Sequence, residues 1–232
     1  MGFLKGLDAY QKHQEQQLER DLERANRVKT EWFKLGAGES VKIRFLQELD
    51  PSASGYDEEK GIGFIVSEHT NPDDFKKRAV CTTEDGECEG CAQNQLSYRQ
   101  NDEEKRGKWK ARQKLYINVL VDNGKDEPHV VVLSQGTSAK TIVPALYSFA
   151  VEDDTITSQW FKITRTGGGF NDTSYSMIPT KVGKDLDFSS FEIFDLDKVI
   201  RNIPFEKQAD FYDVKSATES SSSQDSSDDD GW

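Results

Sequence analysis

Cysteine is scarce in this sequence, with three in 232 residues. Three thiols cannot all pair as disulfides, and clustered cysteines in a reducing compartment more often bind metal. Long apolar runs are missing as well. None approaches the roughly 20 residues needed to span a bilayer. The opening stretch MGFLKGLDAYQKHQ has neither the hydrophobic segment nor the cleavage site of a signal peptide. These absences predict a soluble protein of a cytoplasmic compartment, without membrane association. Catalytic signatures are lacking too: there is no G-x-x-x-x-G-K-[ST] phosphate loop, no H-E-x-x-H and no G-x-S-x-G. Asp195 and Asp197 form an Asp-x-Asp of the kind that holds a catalytic metal, but they read as the polar start of a closing helix. The expectation is a protein that is not an enzyme.

Cations are outnumbered, with 30 Lys and Arg against 42 Asp and Glu and a net charge of −12. Part of the excess is local. Residues 216–232 hold five acids (Glu219, Asp225, Asp228, Asp229 and Asp230) and no Lys or Arg, so the rest of the chain carries −7. Any site for a polyanion must therefore be a local basic strip.

What the chain does have is a set of short apolar segments separated by polar loops. Residues 8–29 are rich in helix formers, with Asp8 as a cap and Leu18, Leu22, Ala25 and Val28 in a narrow stripe. This predicts an N-terminal helical arm over 1–30, either solvated or in contact with a neighbouring copy. From Glu31 the pattern alternates. In GESVKIRFL, Val41, Ile43 and Phe45 fall on one side and Lys42 and Arg44 on the other, as in a half-buried strand. GIGFIVSEH, WKARQKLYINVLVDNG, HVVVLS and QWFKITRTGGGFNDTSYSMIPT read as further strands, the last as a hairpin with a Gly-rich loop. A helix is expected near 92–105, a short helix or turn interrupted by Pro144, and a closing helical region over about 195–209 limited by Pro204. The expected class is mainly β with accessory helices. A five-stranded OB-fold barrel over 31–212 is one such architecture, beside other small barrels and sandwiches that periodicity does not separate from it.

His69, Cys81, Cys88 and Cys91 follow the pattern H-x11-C-x6-C-x2-C. Cys88-Glu89-Gly90-Cys91 is a knuckle whose two thiolates can reach one ion, with Gly90 easing the turn. His69 and Cys81 complete a tetrahedron. A set of three cysteines and one histidine suits Zn2+, and four protein ligands leave no open position, so the expected site is structural. The competing reading is a surface thiol cluster beside an unrelated histidine, and His13 and His129 are distant substitutes for His69. The polar stretch 67–108 is expected to be a zinc subdomain that draws its folding energy from the metal.

Three strands carry cations on their polar parity: Lys42 and Arg44; Lys110, Arg112 and Lys114 with Tyr116; and Lys162 with Trp160. Aligned in one sheet, they would form a cationic groove with aromatic platforms, the combination that single-stranded nucleic acid requires. Taken singly, each is an ordinary solvated or core residue. Lys76, Lys77, Arg78, Arg99, Lys105, Arg106 and Lys108 add cations near the cysteines. The segment 213–232 lacks the apolar content to fold. Its acids, with Asp228, Asp229, Asp230 and the terminal Trp232, read either as a solubilising tail or as a tethered nucleic-acid mimic and partner motif.

The order of one histidine followed by three cysteines, the basic strands GESVKIRFL and QWFKITRTGGGFNDTSYSMIPT, and the acidic terminal segment together resemble the single-stranded DNA-binding proteins of tailed bacteriophages. The likeness covers about 32–205 and the tail. Asn26-Arg27-Val28-Lys29-Thr30 is a faint match to that family's basic N-terminal motif for self-association along DNA. The resemblance implies an OB-fold with an inserted zinc subdomain, zinc held by His69, Cys81, Cys88 and Cys91, and coating of exposed single-stranded DNA in replication, recombination and repair. It also implies recruitment of replication and recombination proteins through the tail. A zinc-stabilised adaptor that binds only proteins, and a single-stranded RNA binder, are the rival expectations.

Overall fold

The computed structural model describes residues 10–15, 17–18, 29–101, 103–169, 172–180 and 186–215. The chain divides into two compact units, Met1–Thr30 and Glu31–Trp232. In the first, residues 10–15 and 17–18 are helical, and Gln14 Nε2 donates to the Tyr10 hydroxyl at 2.8 Å. Lys29 is described and is not helical; the rest of the expected 8–29 helix, with Leu22, Ala25 and Val28, lies outside the described residues, as do Asp228, Asp229, Asp230 and Trp232.

The second unit is built on a seven-stranded antiparallel sheet that is not closed into a barrel. Its strands are β1 (Ser40–Phe45), β2 (Phe64–Thr70), β3 (Arg78–Val80), β4 (Arg112–Asp122), β5 (His129–Gly136), β6 (Trp160–Thr166) and β7 (Ser174–Thr180). They run in the order β3-β2-β4-β1-β6-β7, with β5 on the free edge of β4. β4 is the organiser. One edge of it pairs with β2 through Arg112–Tyr116 and then with β1 through Val119–Asp122, while the other pairs with β5 along Lys114–Val121. The helices are α1 (Glu89–Arg99), α2 (Val143–Asp153), α3 (Leu196–Val199) and α4 (Phe205–Tyr212).

Period-2 alternation sets the main core. Val41, Ile43 and Phe45 from β1 meet Leu115, Ile117, Val119 and Val121 from β4 and Phe161 and Ile163 from β6, and Leu146 of α2 packs onto them. Pro144 begins α2 rather than interrupting it, because the first helical turn needs no proline N–H. At one end of the core the buried Glu48 carboxylate accepts from the amides of Ile156 and Thr157 and from the hydroxyls of Thr155 and Thr157, which holds the 154–157 turn.

The opposite face of the sheet differs from the sequence expectation. Residues 186–200 lie across it. Leu186, Phe188, Phe191 and Ile193 pack on Leu46, Leu120 and Trp160, while Phe194, Leu196, Val199 and Ile200 pack with Tyr116, Val132 and Trp32. Asn118, on the covered face, donates to the Phe194 carbonyl and accepts from its amide, at 2.9 and 3.0 Å. The middle of the sheet is therefore buried on both sides. The closing helical region resolves into two short helices, α3 and α4, with Pro204 capping the second. No described helix is long and apolar enough to cross a membrane.

Candidate metal centre and the surface around it

The β2–β3 hairpin and the start of α1 bring His69, Cys81, Cys88 and Cys91 together. The register sets His69 opposite Ala79, and the Cys81 amide donates to the Ser67 carbonyl at 2.7 Å, which fixes the chain just beyond β3. Cys88 caps α1 in an extended conformation, and Cys91 lies in that helix's first turn. The ligand atoms of all four residues lie within 4.8 Å of one another. Cys81 Sγ is 3.6 Å from Cys91 Sγ, and Cys91 Sγ is 3.3 Å from His69 Nε2. His69 Nδ1 donates to the Trp109 carbonyl at 2.5 Å, which turns Nε2 toward the thiols. The cluster can hold a metal ion through one nitrogen and three sulfurs.

Gly90 serves this site differently from the sequence expectation. It does not adopt a left-handed turn; it is helical, and a Cβ there would run into the His69 ring. The glycine is needed for close approach of α1 to the imidazole.

The charges of the four groups are coupled. Burial lowers the His69 pKa, but hydrogen bonds to Cys88, the Trp109 carbonyl and Cys81, with the charge on Cys88, outweigh it and raise the pKa to about 9. Burial alone would raise Cys88, yet His69 and the amides of Cys91 and Thr82 bring it down to about 5. Burial, with the neighbouring Cys81 and Cys88, pushes Cys91 up to about 11 against the Thr83 hydrogen bond.

α4 arrives from far along the chain to close the site. The buried Gln208 accepts from the Glu89 amide at 2.8 Å and donates to the Thr82 hydroxyl at 3.0 Å, so it grips the neighbours of both Cys88 and Cys81. One turn later Tyr212 is fully buried, its ring edge-on to Trp109 at 5.1 Å and its carbonyl bonded to Asn71 Nδ2 at 2.8 Å. Burial raises the Tyr212 pKa, Cys88, Cys81 and Glu68 raise it further, and the Ala79 amide opposes them weakly. Nothing in local sequence marks Gln208, Tyr212 or Asn71 as site residues, because their partners lie up to 141 positions away.

The predicted cationic groove is only partly assembled. The register sets Lys42 opposite Lys162, and Arg44 opposite Trp160, on one face. Lys162 is exposed, but Arg44 lies with its guanidinium 3.7 Å above the Phe188 ring. Trp160 is 4% exposed and Tyr116 only 2%, the latter donating its hydroxyl to Glu68. Neither ring is open for stacking, which corrects the expectation for both. Lys114 pairs with Glu68 at 3.5 Å. Lys110 and Arg112 are exposed at the far end of β4. Eight residues separate Arg112 from Leu120, the partner of Arg44, so the two cationic groups stand roughly 26 Å apart along the strand.

Exposed rings occur instead on the segments that carry the cluster. Phe75, in the β2–β3 connection, is 77% exposed, and Tyr98, on α1, is 48% exposed. Arg106 lies over the Tyr98 ring at 4.9 Å, and Lys105 ties its own loop to Asp73 at 3.1 Å, two residues before Phe75. Lys76, Arg99, Arg106, Lys108, Lys110 and Arg112 are exposed on the same lobe and the adjoining strand. No family model, curated protein or solved structure matches the chain.

Proposed function

We propose that the chain is a non-enzymatic, cytoplasmic single-stranded DNA-binding protein whose contact surface is the metal lobe and the adjoining end of β4. The observation that carries this reading is the pair of solvent-facing rings, Phe75 and Tyr98, set among exposed cations. Cations neutralise phosphates, and a ring stacks on any base for about 1–3 kcal/mol without reading sequence. The middle of the sheet is covered by residues 186–200, so the strand runs along the lobe rather than through a central groove.

The metal in this reading is Zn2+, in a structural role. With Zn–S near 2.3 Å and Zn–N near 2.0 Å, tetrahedral ligation places sulfurs about 3.8 Å apart and sulfur about 3.6 Å from nitrogen. The separations of 3.6 and 3.3 Å fit that set. His69, Cys81, Cys88 and Cys91 would hold the ion, and its binding energy would stabilise the polar lobe that presents the two rings. The further parts of the reading are an OB-type barrel, a relation to the phage single-stranded DNA-binding proteins, self-association along DNA, and recruitment of replication and recombination proteins by Asp228, Asp229, Asp230 and Trp232. The tandem pairing of β1 and β2 along a single long β4 supports the barrel architecture. The rival adaptor reading draws on the −7 charge that remains without residues 216–232.

Trp109 and Trp160 are both buried, so tryptophan quenching is a poor readout of this surface. The test is fluorescence anisotropy of a labelled oligo-dT with the wild type and with Phe75→Ala and Tyr98→Ala. Binding that weakens with salt, and falls about 5- to 150-fold in each variant, agrees with the proposal. No binding by the wild type, with residues 216–232 present or removed, favours the adaptor.

A further inference from the structure

Cys81 and Cys91 form an edge of the ligand cluster that differs from the rest of it. Both are partly exposed, whereas Cys88 and His69 are buried. The two sulfurs lie 3.6 Å apart. A disulfide requires a separation of about 2.05 Å, so they have only ~1.5 Å to close. The hydroxyl of the exposed Thr83 sits beside both, 3.2 Å from Cys81 Sγ and 3.1 Å from Cys91 Sγ, and marks the solvent side of the edge. Local sequence points to a different pair. Cys88 and Cys91 stand in a Cys-x2-Cys, the spacing of thiol–disulfide motifs. The fold opposes that choice, because an oxidant from solvent meets Cys81 and Cys91 first.

We propose that the Cys81–Cys91 edge is a redox modification site, at which hydrogen peroxide joins the two thiolates in a disulfide and the ion is released. One thiolate attacks a peroxide oxygen. An S–O bond forms, the O–O bond breaks, and the departing oxygen takes a proton and leaves as water. The second thiolate attacks the resulting sulfenic acid. The S–S bond forms, the S–O bond breaks, and the hydroxide takes a proton and leaves as a second water. The sulfurs lose two electrons, and the two peroxide oxygens gain them. Only His69 and Cys88 then remain as ligands, too few for an ion that is held by four. The release step rests on the metal reading above, and the disulfide does not. In a reducing compartment, small thiols would reverse the bond by exchange at the exposed edge.

The experiment treats the Zn2+-loaded full chain, wild type and dilute, with hydrogen peroxide. A chromogenic chelator follows the released metal, while alkylation of free thiols and peptide mass spectrometry locate the disulfide. The expected product has Cys81 joined to Cys91 and Cys88 alkylated as a free thiol. Metal loss should keep pace with the cross-link, and dithiothreitol should restore both thiols. A disulfide that takes in Cys88 overturns the proposal, as does oxidation that stops at sulfinic acid without a cross-link. A cross-linked chain that keeps its Zn2+ overturns the release step. A chain that takes up no Zn2+ yet still joins Cys81 to Cys91 overturns the metal reading and leaves the modification site standing.

Discussion

His69 and Gly90 illustrate how far single residues constrain the centre. The imidazole is held from behind by the Trp109 carbonyl and faced by a helix that approaches so closely that only glycine fits. Gly90→Ala would place a methyl group inside the ring, so either α1 or His69 must move. We predict that this variant loses metal at equal protein concentration, measured by metal content after desalting, while its sheet remains folded. Full metal retention would contradict the contact. The proton balance gives a second prediction. Without metal, His69 with its pKa raised to about 9 and Cys91 with its pKa raised to about 11 both carry protons at neutral pH, whereas Cys88, brought down to about 5, does not. Metal must displace the protons on His69 and Cys91, so apparent affinity should rise with pH through the neutral range and fall on acidification. The His69–Cys88 pair obeys the same signs. The raised His69 contributes stability that is complete below its ordinary value of 6.5 and lost as pH climbs through about 9. The lowered Cys88 contributes stability that is lost as pH falls through about 5. A chelator competition series at about pH 6, 7 and 8 with no change in affinity would contradict the proton displacement.

Elements were legible where one face alone decides the pattern. β1 alternates cleanly, and its apolar parity enters the core as the sequence predicts. The Cys-x2-Cys spacing led to a real side-chain cluster for a comparable reason, since one helical turn brings Cys88 and Cys91 together whatever the rest of the fold does. The second face of β4 is the exception. Tyr116, Asn118 and Leu120 alternate with apolar residues, which looks like a solvated side, yet all three are buried under residues 186–200. Asn118 hides the contact: its polarity suggests solvent, while its amide is consumed by Gln47 and the backbone of Phe194. That partner lies 76 positions away, beyond the reach of any local period. The three-residue β3 was too short to show alternation at all. Trp160 tests this layer. As a buried ring between Leu120 and the covering segment, its replacement by alanine should cost about 3–5 kcal/mol of unfolding free energy, read by urea denaturation. A cost below about 1 kcal/mol would mean that the segment does not cover it and that the central face is open after all.

For the whole molecule, the charge problem posed by the composition becomes one of placement. A net charge of −12 repels a polyanion at long range, so the proposed DNA binding would have to come from short-range contacts that survive the repulsion. Exposed rings beside exposed cations on the lobe that carries the metal-ligand cluster meet that requirement better than three strands of surface lysine. Residues 216–232 add five of the negative charges, and their deletion is predicted to tighten DNA binding most at low salt; weaker binding after deletion would remove the tail's role as competitor. The most direct test of the central claim is ultraviolet cross-linking of the metal-loaded chain to oligo-dT, with the attached peptides identified by mass spectrometry. The account predicts cross-links at Phe75 and Tyr98. Cross-links confined to β1 and β6, or none under conditions where a control single-stranded DNA-binding protein is labelled, would contradict it.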